Sequence, residues 1–301
     1  MPELPEVEVV RRGIEPYTRG WVVERVTVFD SRSLRRHDGP EEDFIDRLTG
    51  RTLDGAVRRG KFLWMPIGNH EAVVCHLGMS GQVLLGDHPD QFGPLLRVSL
   101  ELRSPSGEGM VWGFVDQRLF GSLAIDRLVD SGSGAPAGLG HDSPQIPQHV
   151  AHIARDPLDE ALDEQAVVRR IRQKSSGIKR VLLDQSVLSG VGNIYADEAL
   201  WRARLHYDYP ASRLSAKKTR ELLGHIRDVF RQALADGGTS FDWQYVNVNG
   251  QSGYFSQSLN AYGQAGTPCP RCGRPISREP FMNRSSFRCP RCQPKPRRPV
   301  G

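Results

Sequence analysis

The chain begins with a proline followed by acidic residues, in the order Met1-Pro2-Glu3-Leu4-Pro5-Glu6. We expect Met1 to be trimmed, because an initiator methionine is readily removed when a small residue such as proline follows. Pro2 would then carry a free secondary amine, and since an α-amino group titrates at about 7.7–8.0, a useful fraction is nucleophilic near neutral pH. Such an amine attacks a carbonyl-like carbon to give an iminium, a form of Schiff base. Glu3 or Glu6 could move protons beside it.

A structural interpretation of the same residues needs no chemistry. Pro5 suits the first turn of a helix, and Glu6 and Glu8 suit the positive end of its dipole. Apolar residues recur at helical spacing and predict an amphipathic helix with a buried face: Leu4, Val7, Val10 and Ile14. A terminal proline before acidic residues is more often only a helix start, so the chemical interpretation depends on the rest of the chain.

Length and charge limit the class of protein. The 301 residues suggest about two domains, each large enough for its own core. Lysine and arginine exceed aspartate and glutamate by five, a mild basic bias that is compatible with a polyanionic partner. No apolar run approaches the roughly 18–20 residues of a membrane span, and the acidic N-terminus lacks the apolar core of a signal peptide. We therefore expect a cytoplasmic protein.

The N-terminal part, residues 2–130, is predicted to be a β-rich domain. Short runs of β-formers are separated by Gly- and Pro-containing turns, without βαβ alternation, which favours a sandwich or barrel. One helix is predicted at Glu41–Leu48, and Cys75 is interpreted as core packing. The predicted strands are Trp21–Phe29, Lys61–Ile67, Glu71–Leu77, Leu95–Leu102 and Met110–Val115.

Three turns of this domain carry residues that suit a nucleic acid. Lys61, in Arg-Arg-Gly-Lys before a strand, could meet a phosphate, although an ordinary solvated turn explains it equally well. Met79, in His-Leu-Gly-Met-Ser-Gly, is predicted on a loop tip, where it either packs or inserts between bases. Arg118 and Phe120, in Asp-Gln-Arg-Leu-Phe-Gly, place a cation and an aromatic ring two residues apart. A cation and a wedge are the groups needed to open a duplex and fill the gap.

Residues 131–157 are rich in Gly, Ser and Pro and are predicted to be a linker. Residues 158–262 are predicted to form a helical domain, with helical periodicity from Leu158 to about Ala235. Helices are predicted around Val167–Ile171, Ile178–Leu183 and Leu222–Leu234. Between the second and a further helix, Gly190-Val191-Gly192-Asn193 predicts a nest of backbone N–H groups at a helix start, a phosphate-binding arrangement. Lys174 and Lys179 upstream favour this over a simple tight turn.

Residues 237–262 are polar and glycine-rich, yet they contain five aromatic residues: Phe241, Trp243, Tyr245, Tyr254 and Phe255. Aromatic rings among amides suit a mobile loop over a base turned out of a duplex. They suit a hairpin packed on the domain equally well.

The two C-x-x-C pairs near the end of the chain are its strongest signal. Cys269 and Cys272 are separated by sixteen residues from Cys289 and Cys292, the spacing of a four-cysteine zinc ribbon. Four thiolates leave no open coordination position, so the one Zn²⁺ is predicted to be structural. The zinc finger is predicted at 263–293 with a basic tail at 294–301. Arg284 is expected on its hairpin tip or second strand.

In this order the motifs resemble the bacterial formamidopyrimidine-DNA glycosylases (Fpg), base-excision repair enzymes of the Fpg/Nei family that act on oxidised purines. The resemblance covers nearly the whole chain, from PELPEVE through GKF, HLGMSG, DQRLFG, GVGNIYADE and GYF to the cysteine pairs. The related endonuclease VIII class usually starts PEGPE. The family implies an α+β multidomain fold: a β-sandwich carrying the terminal helix, a helix–two-turn–helix domain and a zinc-finger β-hairpin. Double-stranded DNA with oxidised bases or abasic sites would lie in the cleft between the halves.

The resemblance also implies residue roles. Pro2 matches the nucleophile at the sugar C1′, Glu3 its acid/base partner and Glu6 a second acidic residue that supports that site. Lys61 matches the catalytic lysine that contacts phosphate and helps the chemistry near the lesion. Met79, Arg118 and Phe120 match a triad inserted into the duplex, with Arg118 facing the orphaned cytosine. Lys179 and Asn193 match phosphate ligands, as does Arg284. The implied reaction is base excision followed by β,δ-elimination, in a monomer associated with the nucleoid.

The sequence departs from the familiar family pattern at three positions. In the common family motif Asp-Pro-Arg-Arg-Phe-Gly, the proline is replaced here by Gln117 and the second arginine by Leu119. These changes put the rigidity of the turn and the discrimination of the opposite base in doubt. Tyr207 follows His206 where proline is usual. Three other functions compete: an endonuclease VIII-like glycosylase for oxidised pyrimidines, a non-catalytic zinc-ribbon nucleic-acid-binding protein, and a small-molecule enzyme with an N-terminal proline base. The last gives no reason for the zinc ribbon or the wedge residues.

Overall fold

The computed structural model describes residues 2–238, 248 and 255–296. Contacts divide the chain into a first unit, Met1–His152 with Asp236–Tyr254, and a second unit, Ile153–Ala235 with Phe255–Gly301. The sequence-based boundaries differ from this division in two places. Residues 131–152, predicted as linker, group with the first unit, and so do residues 236–238 and 248, predicted as part of the helical domain.

The described part of the first unit contains two α-helices, α1 (Leu4–Ile14) and α2 (Glu41–Leu48), and nine strands. The helix predicted at Glu41–Leu48 is confirmed, and so are the five predicted strands. Four further strands adjoin Gly- or Pro-rich stretches typical of loops and were not predicted. The strands are β1 Val22–Val28, β2 Val57–Arg59, β3 Phe62–Gly68, β4 Glu71–His76, β5 Gly81–Gly86, β6 Leu96–Arg103, β7 Gly109–Asp116, β8 Ser122–Asp130 and β9 Gln145–Pro147.

These strands form two antiparallel sheets, in the orders β1–β6–β7–β5 and β2–β3–β4–β8–β9. The strand β9 explains why part of the predicted linker is folded, since Val129 of β8 pairs with Ile146 of β9. Val248 also belongs here, because it is buried and its carbonyl oxygen accepts a hydrogen bond from the Leu85 N–H (3.1 Å).

One hydrophobic core joins both sheets and both helices, as expected of a sandwich whose inner faces alternate apolar residues with polar outer ones. Cys75 lies in this core, as predicted. Burying one aliphatic side chain contributes roughly 1.5–3 kcal/mol, so the apolar face of α1 fixes that helix firmly. Its buried residues are Leu4, Val7, Val10 and Ile14.

A buried ion network holds α1 from its polar side. Glu8 is 0 % exposed, and its carboxylate accepts hydrogen bonds from the Arg11 Nε and Nη2 (both 3.0 Å) and from the Arg58 Nε on β2 (2.8 Å). Burial raises the pKa of Glu8, but the hydrogen bond from Arg11 and the positive charges of Arg58 and Arg11 outweigh it, so the net pKa is lowered. The carboxylate is therefore the counter-charge that permits two arginines to be buried here.

The described part of the second unit contains four α-helices and one β-hairpin. The predicted helices and the hairpin between the cysteine pairs are confirmed. The strands β10 and β11 are antiparallel, with Phe281 opposite Arg284 beside the turn. The elements are α3 Glu164–Gln173, α4 Ile178–Leu182, α5 Asn193–Arg202, α6 Ala216–Ala235, β10 Ser277–Phe281 and β11 Arg284–Arg288. Among the described helices, none has the length and apolar composition that a membrane crossing requires.

Replacing Glu8 by glutamine removes the counter-charge of two buried arginines, which costs about 3–5 kcal/mol when one partner of a buried ion pair is lost. We expect Glu8→Gln to lower the free energy of unfolding by that order in urea titrations followed by tryptophan fluorescence. Because the folded pKa of Glu8 is lowered, its contribution is present above the unfolded pKa and is lost as the pH falls through the folded pKa. The acid side of the stability profile should flatten in the variant.

The matched control is Glu24→Gln, because Glu24 also pairs with an arginine, Arg103 (2.9 Å), but on the exposed surface. That variant should unfold like the wild-type protein. Equal destabilisation by the two substitutions would contradict the role given to the buried network.

Candidate active site and nucleic-acid interface

The start of α1 is closed by a reciprocal capping box. The Glu3 N–H donates to the Glu6 carboxylate (2.8 Å), and the Glu3 side chain accepts from the backbone N–H of Glu6. Glu3, Glu6 and Pro2 are all buried. The structure therefore brings three of the predicted catalytic residues together, with two carboxyl groups within four residues of the proline. Both predictions for this stretch, helix start and reactive group, are compatible with one geometry.

Lys61 lies in the tight turn between β2 and β3, where Gly60 has a positive φ of 57°. The Arg58 guanidinium, which bonds Glu8 of α1, also donates through Nη1 to the Gly60 carbonyl oxygen (3.2 Å). The backbone just before Lys61 is thus joined through one buried arginine to the helix that follows Pro2. The segment that contains Pro2, Glu3 and Glu6 and the turn that contains Lys61 are therefore both connected to the ion network around Glu8 and Arg58.

Met79, Arg118 and Phe120 lie on two adjacent loops, residues 77–80 and residues 117–121. Met79 is 44 % exposed and Phe120 49 % exposed, and Arg118 is exposed as well. Large apolar side chains are costly to leave in water, so two of them on adjacent loops with a cation indicate a contact surface. The structure places the three residues on neighbouring loops, and their role in a duplex stays a prediction.

One buried carboxylate joins the two loops. Asp116 accepts from the Ser80 hydroxyl (2.5 Å) and the Arg118 N–H (3.1 Å) through Oδ1, and from the Gly121 N–H (2.7 Å) through Oδ2. Gly78 completes the junction, because a Cβ on it would come within 2.2 Å of the Phe120 carbonyl oxygen. The loops are therefore prearranged, and their exposed side chains project from a rigid base.

A cavity of about 400 Å³ beside β3 and β4 is lined by side chains that the sequence did not single out, among them Arg36, Phe62, His76 and His149. Burial, helped by the positive charge of Arg36, lowers the pKa of His76 to about 4, so the ring is neutral at pH 7. Its Nδ1 accepts from the Gly78 N–H (3.2 Å). The neutral ring then carries its proton on Nε2, which makes that nitrogen a donor.

In the second unit, Lys179 is fully buried and does not present its ammonium to solvent. Its Nζ lies 2.7 Å from Asp197 of α5 and 4.8 Å from the centre of the Phe281 ring. Asp197 also accepts from the Ser286 hydroxyl (2.8 Å) and the Phe287 N–H (2.9 Å). Direct phosphate contact by Lys179 stays a prediction. Its contacts link α4 to α5 and to the hairpin, which indicates a structural role for Lys179.

Asn193 and the glycines before it are similarly enclosed. The Asn193 Nδ2 donates to the Ser285 carbonyl oxygen (3.0 Å), and the Gly190 N–H donates to the Gln185 side chain (2.9 Å). Part of the predicted N–H nest is therefore used internally, and its phosphate role stays a prediction. Arg284, by contrast, is exposed at the first position of β11, on the second strand as expected.

Glu198, the residue after Asp197, is a second buried organiser. Its carboxylate accepts the backbone N–H groups of residues 260, 261 and 262 at 2.7–3.1 Å. Consecutive acidic residues of α5 thus hold both the segment entering the zinc-finger region and its hairpin. The sequence identified this motif by its glycines, whereas the acidic pair gave no signal because most of its partners lie 62 to 90 residues away in the chain.

The predicted aromatic segment lies mostly outside the described residues: Phe241, Trp243, Tyr245 and Tyr254 are not among them. Phe255 is described. It is fully buried and stacks on Tyr195 of α5 at a centroid distance of 5.7 Å. For this one residue, packing on the domain is the observed outcome.

The four predicted metal ligands form one cluster. The Sγ atoms of Cys269, Cys272, Cys289 and Cys292 all lie within 4.8 Å of one another, with Cys272 at 3.4 Å from Cys289 and 3.6 Å from Cys292. Zn–S bonds of about 2.3 Å in a tetrahedron separate thiolate sulfurs by about 3.8 Å. The donor set and spacing therefore fit a closed tetrahedral zinc site.

Comparison with protein families gives three matches along the chain. The model described as "Formamidopyrimidine-DNA glycosylase N-terminal domain" matches residues 1–123, "Formamidopyrimidine-DNA glycosylase H2TH domain" matches residues 153–244, and "Zinc finger found in FPG and IleRS" matches residues 266–295. The last match and the cysteine geometry agree on one structural zinc.

Curated relatives match over nearly the full length. A formamidopyrimidine-DNA glycosylase of Leifsonia xyli subsp. xyli is 56 % identical and covers 97 % of this chain and 99 % of its own. The protein of the same name in Nocardioides sp. is 53 % identical and covers 99 % of this chain and 96 % of its own.

Solved structures agree with this. The MutM (Fpg) protein of Thermus thermophilus superposes with a TM-score of 0.79 at 33 % identity, covering 98 % of this chain and all of its own. A Lactococcus lactis Fpg mutant in complex with a Fapy-dG containing DNA gives 0.81 at 28 % identity with the same coverage. The Lactococcus lactis Fpg bound to an abasic site containing DNA gives 0.79 at 27 % identity, covering 97 % of this chain and all of its own.

Replacing Lys179 by methionine leaves the Asp197 carboxylate buried without its counter-charge. We expect a loss of about 3–5 kcal/mol, seen as a lower transition temperature in scanning calorimetry. The double variant Lys179→Met/Asp197→Asn should recover part of it, because asparagine is uncharged and can still accept from the Phe287 N–H through Oδ1 while its Nδ2 donates to the Ser286 hydroxyl.

Lys174→Met is the matched control, since Lys174 makes a longer and more exposed pair with Asp184 (3.5 Å). If the Lys179→Met protein were as stable as this control, the structural role given to the Lys179–Asp197 ion pair would be wrong.

Chelation should remove one zinc ion per chain and expose the amides of residues 266–293 to hydrogen exchange, because four thiolates without a metal do not hold the hairpin. Cys272→Ala should likewise abolish zinc retention, measured by atomic emission. Cys75→Ala is the control, because Cys75 lies in the sandwich core, and it should retain one zinc. Zinc retained by Cys272→Ala would exclude the four-cysteine site.

Proposed function

Because the chain belongs to the formamidopyrimidine-DNA glycosylase family, we propose that it is a bifunctional base-excision repair enzyme that excises oxidised purines from duplex DNA and then cleaves the strand. The glycosylase acting on damaged DNA follows from the family. The lyase step, the proline chemistry and the preference for 8-oxoguanine and formamidopyrimidines are the proposal. One observation carries it: Pro2 sits at a capped, buried helix start with two carboxyl groups beside it.

The nucleophile in this proposal is the Pro2 nitrogen after Met1 has been removed. With Met1 retained, that nitrogen is a tertiary amide whose lone pair is delocalised into the carbonyl group. The free amine bonds to the sugar C1′, the glycosidic bond breaks, and its electron pair leaves with the base. Glu3 is the proposed proton carrier. Glu6 fixes the Glu3 backbone N–H and so orients the pair.

Strand cleavage follows from the iminium. Opening of the sugar ring gives a cationic C1′=N⁺ bond between the sugar and Pro2, which withdraws electrons and acidifies the C2′ proton. Removal of that proton expels the 3′ phosphate by β-elimination, and a second elimination expels the 5′ phosphate. Hydrolysis of the iminium releases Pro2. Zinc takes no part in these bond changes, because its four thiolates leave no open position.

The remaining predicted residues are proposed to bind the duplex. Lys61 would contact phosphate near the lesion, since its turn is tied to α1 through Arg58. Met79, Arg118 and Phe120 would fill the space left by the extruded nucleotide, with Arg118 towards the orphaned base. Their exposure on prearranged loops supports this.

In the second unit, Arg284 would contact phosphates directly, because it is exposed at the start of β11. Asn193 and Lys179 would act at least in part by holding the hairpin in place. For the whole protein we propose a monomer that works on the nucleoid.

Borohydride reduction tests the covalent step. With a duplex carrying 8-oxoguanine opposite cytosine, the wild-type protein should form a reduced protein–DNA adduct, because an iminium is reducible. Pro2→Gly should form none. Pro5→Ala is the matched control, since Pro5 lies in the first turn of the same helix, and it should keep the adduct. Binding without adduct or strand cleavage would favour a non-catalytic binding protein instead.

Substrate choice separates the two glycosylase alternatives. Excision should be faster from 8-oxoguanine or formamidopyrimidine duplexes than from duplexes with oxidised pyrimidines. The reverse order would favour the endonuclease VIII-like activity while leaving the Pro2 chemistry intact. The N-terminal PELPE sequence supports the first outcome.

A further inference from the structure

Arg35 makes an unusual set of contacts for an exposed arginine. It follows the short 3₁₀ turn Ser31–Leu34. Its Nη1 donates to the carbonyl oxygens of Leu119 (2.8 Å) and Gly121 (2.5 Å), and its Nη2 donates to that of Phe120 (2.5 Å). Three successive carbonyl groups therefore converge on one guanidinium, 84 to 86 residues away in the chain.

This convergence needs an unfavourable backbone conformation. Leu119 has a φ of 55°, in the left-handed region that a residue with a branched side chain seldom occupies. The Arg118 and Gly121 N–H groups are held by the Asp116 carboxylate. The 117–121 loop is thus clamped twice, at its N–H groups by a buried carboxylate and at its carbonyl groups by Arg35.

We propose that Arg35 is a positioning residue that keeps Leu119 left-handed and thereby sets how Arg118 and Phe120 project into the duplex. It thus determines the discrimination between bases opposite the lesion. This inference rests on the proposed function, since it deepens the action of the 117–121 loop. Arginine suits the task because its planar fork presents five donors in fixed directions, whereas lysine is a compact point charge.

A simpler role for Arg35 would be a contact with phosphate. The two roles predict different results. Loss of a phosphate contact weakens binding to all duplexes alike and lowers the salt dependence of binding by about one ion. Loss of a positioning contact alters the ratio between substrates and leaves the salt dependence unchanged.

The experiment compares Arg35→Met with Arg32→Met. Arg32 lies in the same turn and is exposed, but its guanidinium is engaged by the Asp30 carboxylate (2.7 Å). The measurement is single-turnover excision of 8-oxoguanine opposite cytosine and opposite adenine. Loss of a charged hydrogen-bond donor changes an equilibrium by about tenfold. We expect Arg35→Met to reduce the cytosine preference by that factor, while Arg32→Met keeps the wild-type ratio.

A second substitution tests the backbone conformation itself. Glycine adopts a positive φ without a side-chain penalty, so Leu119→Gly should restore part of the cytosine preference when added to Arg35→Met. Arg35→Lys should behave like Arg35→Met despite its charge. Amides of residues 117–121 should exchange faster with solvent in Arg35→Met than in Arg32→Met, a result that needs no DNA.

These outcomes separate the inference from the proposed function. If the wild-type protein traps no adduct under borohydride, the proposed function fails, and the exchange experiment still tests the clamp. If the adduct forms but Arg35→Met keeps both the wild-type ratio and slow exchange, the inference is overturned alone. A lower salt dependence with an unchanged ratio would also overturn it, in favour of a phosphate contact.

Discussion

A reactive group at the end of a chain is useful only if that end does not fray, and chain termini usually do. Here the first helix begins at Leu4, two residues after the proposed nucleophile. Its apolar face is buried in the sandwich core, and its start is closed by the Glu3–Glu6 capping box. Glu8 adds the third restraint, a buried ion pair with β2. The backbone directly after the proposed nucleophile is therefore held by three separate sets of contacts.

The same physical device recurs at each place where the sites need a fixed backbone. Asp116, Asp197 and Glu198 are buried carboxylates, and each accepts several N–H or O–H groups, many of them from segments distant in sequence. A buried charge is tolerated only when its hydrogen-bonding capacity is used, so each of these acids specifies one arrangement of the chain around it. The exposed residues proposed to touch DNA are attached to this interior framework.

The sequence predicted most helices and strands, but it did not predict the long-range hydrogen bonds and ion pairs that hold them together. Helical spacing found α1, and the two C-x-x-C pairs found the metal site, because both signals lie within short stretches of the chain. Asp116, Arg35 and Asp197 each have partners tens of residues away, and no periodicity reports such a contact. Strand β9 was missed for a similar reason, since it is a three-residue pairing inside a segment whose composition is typical of a linker.

At Lys179 and Leu119 the structure gives information about residue roles that motif similarity does not give. Similarity assigned Lys179 to phosphate, which stays a prediction, whereas the structure shows its ammonium between Asp197 and Phe281, where an ion pair is stronger than at the surface. At position 119 the sequence departs from the common family motif by losing a charge. The structure shows that the loop conformation at this position is held through the backbone: Leu119 is left-handed, and its carbonyl oxygen accepts a hydrogen bond from Arg35. A change of side chain there can leave the loop geometry intact, because the hydrogen bonds that define it are made by main-chain atoms of the loop.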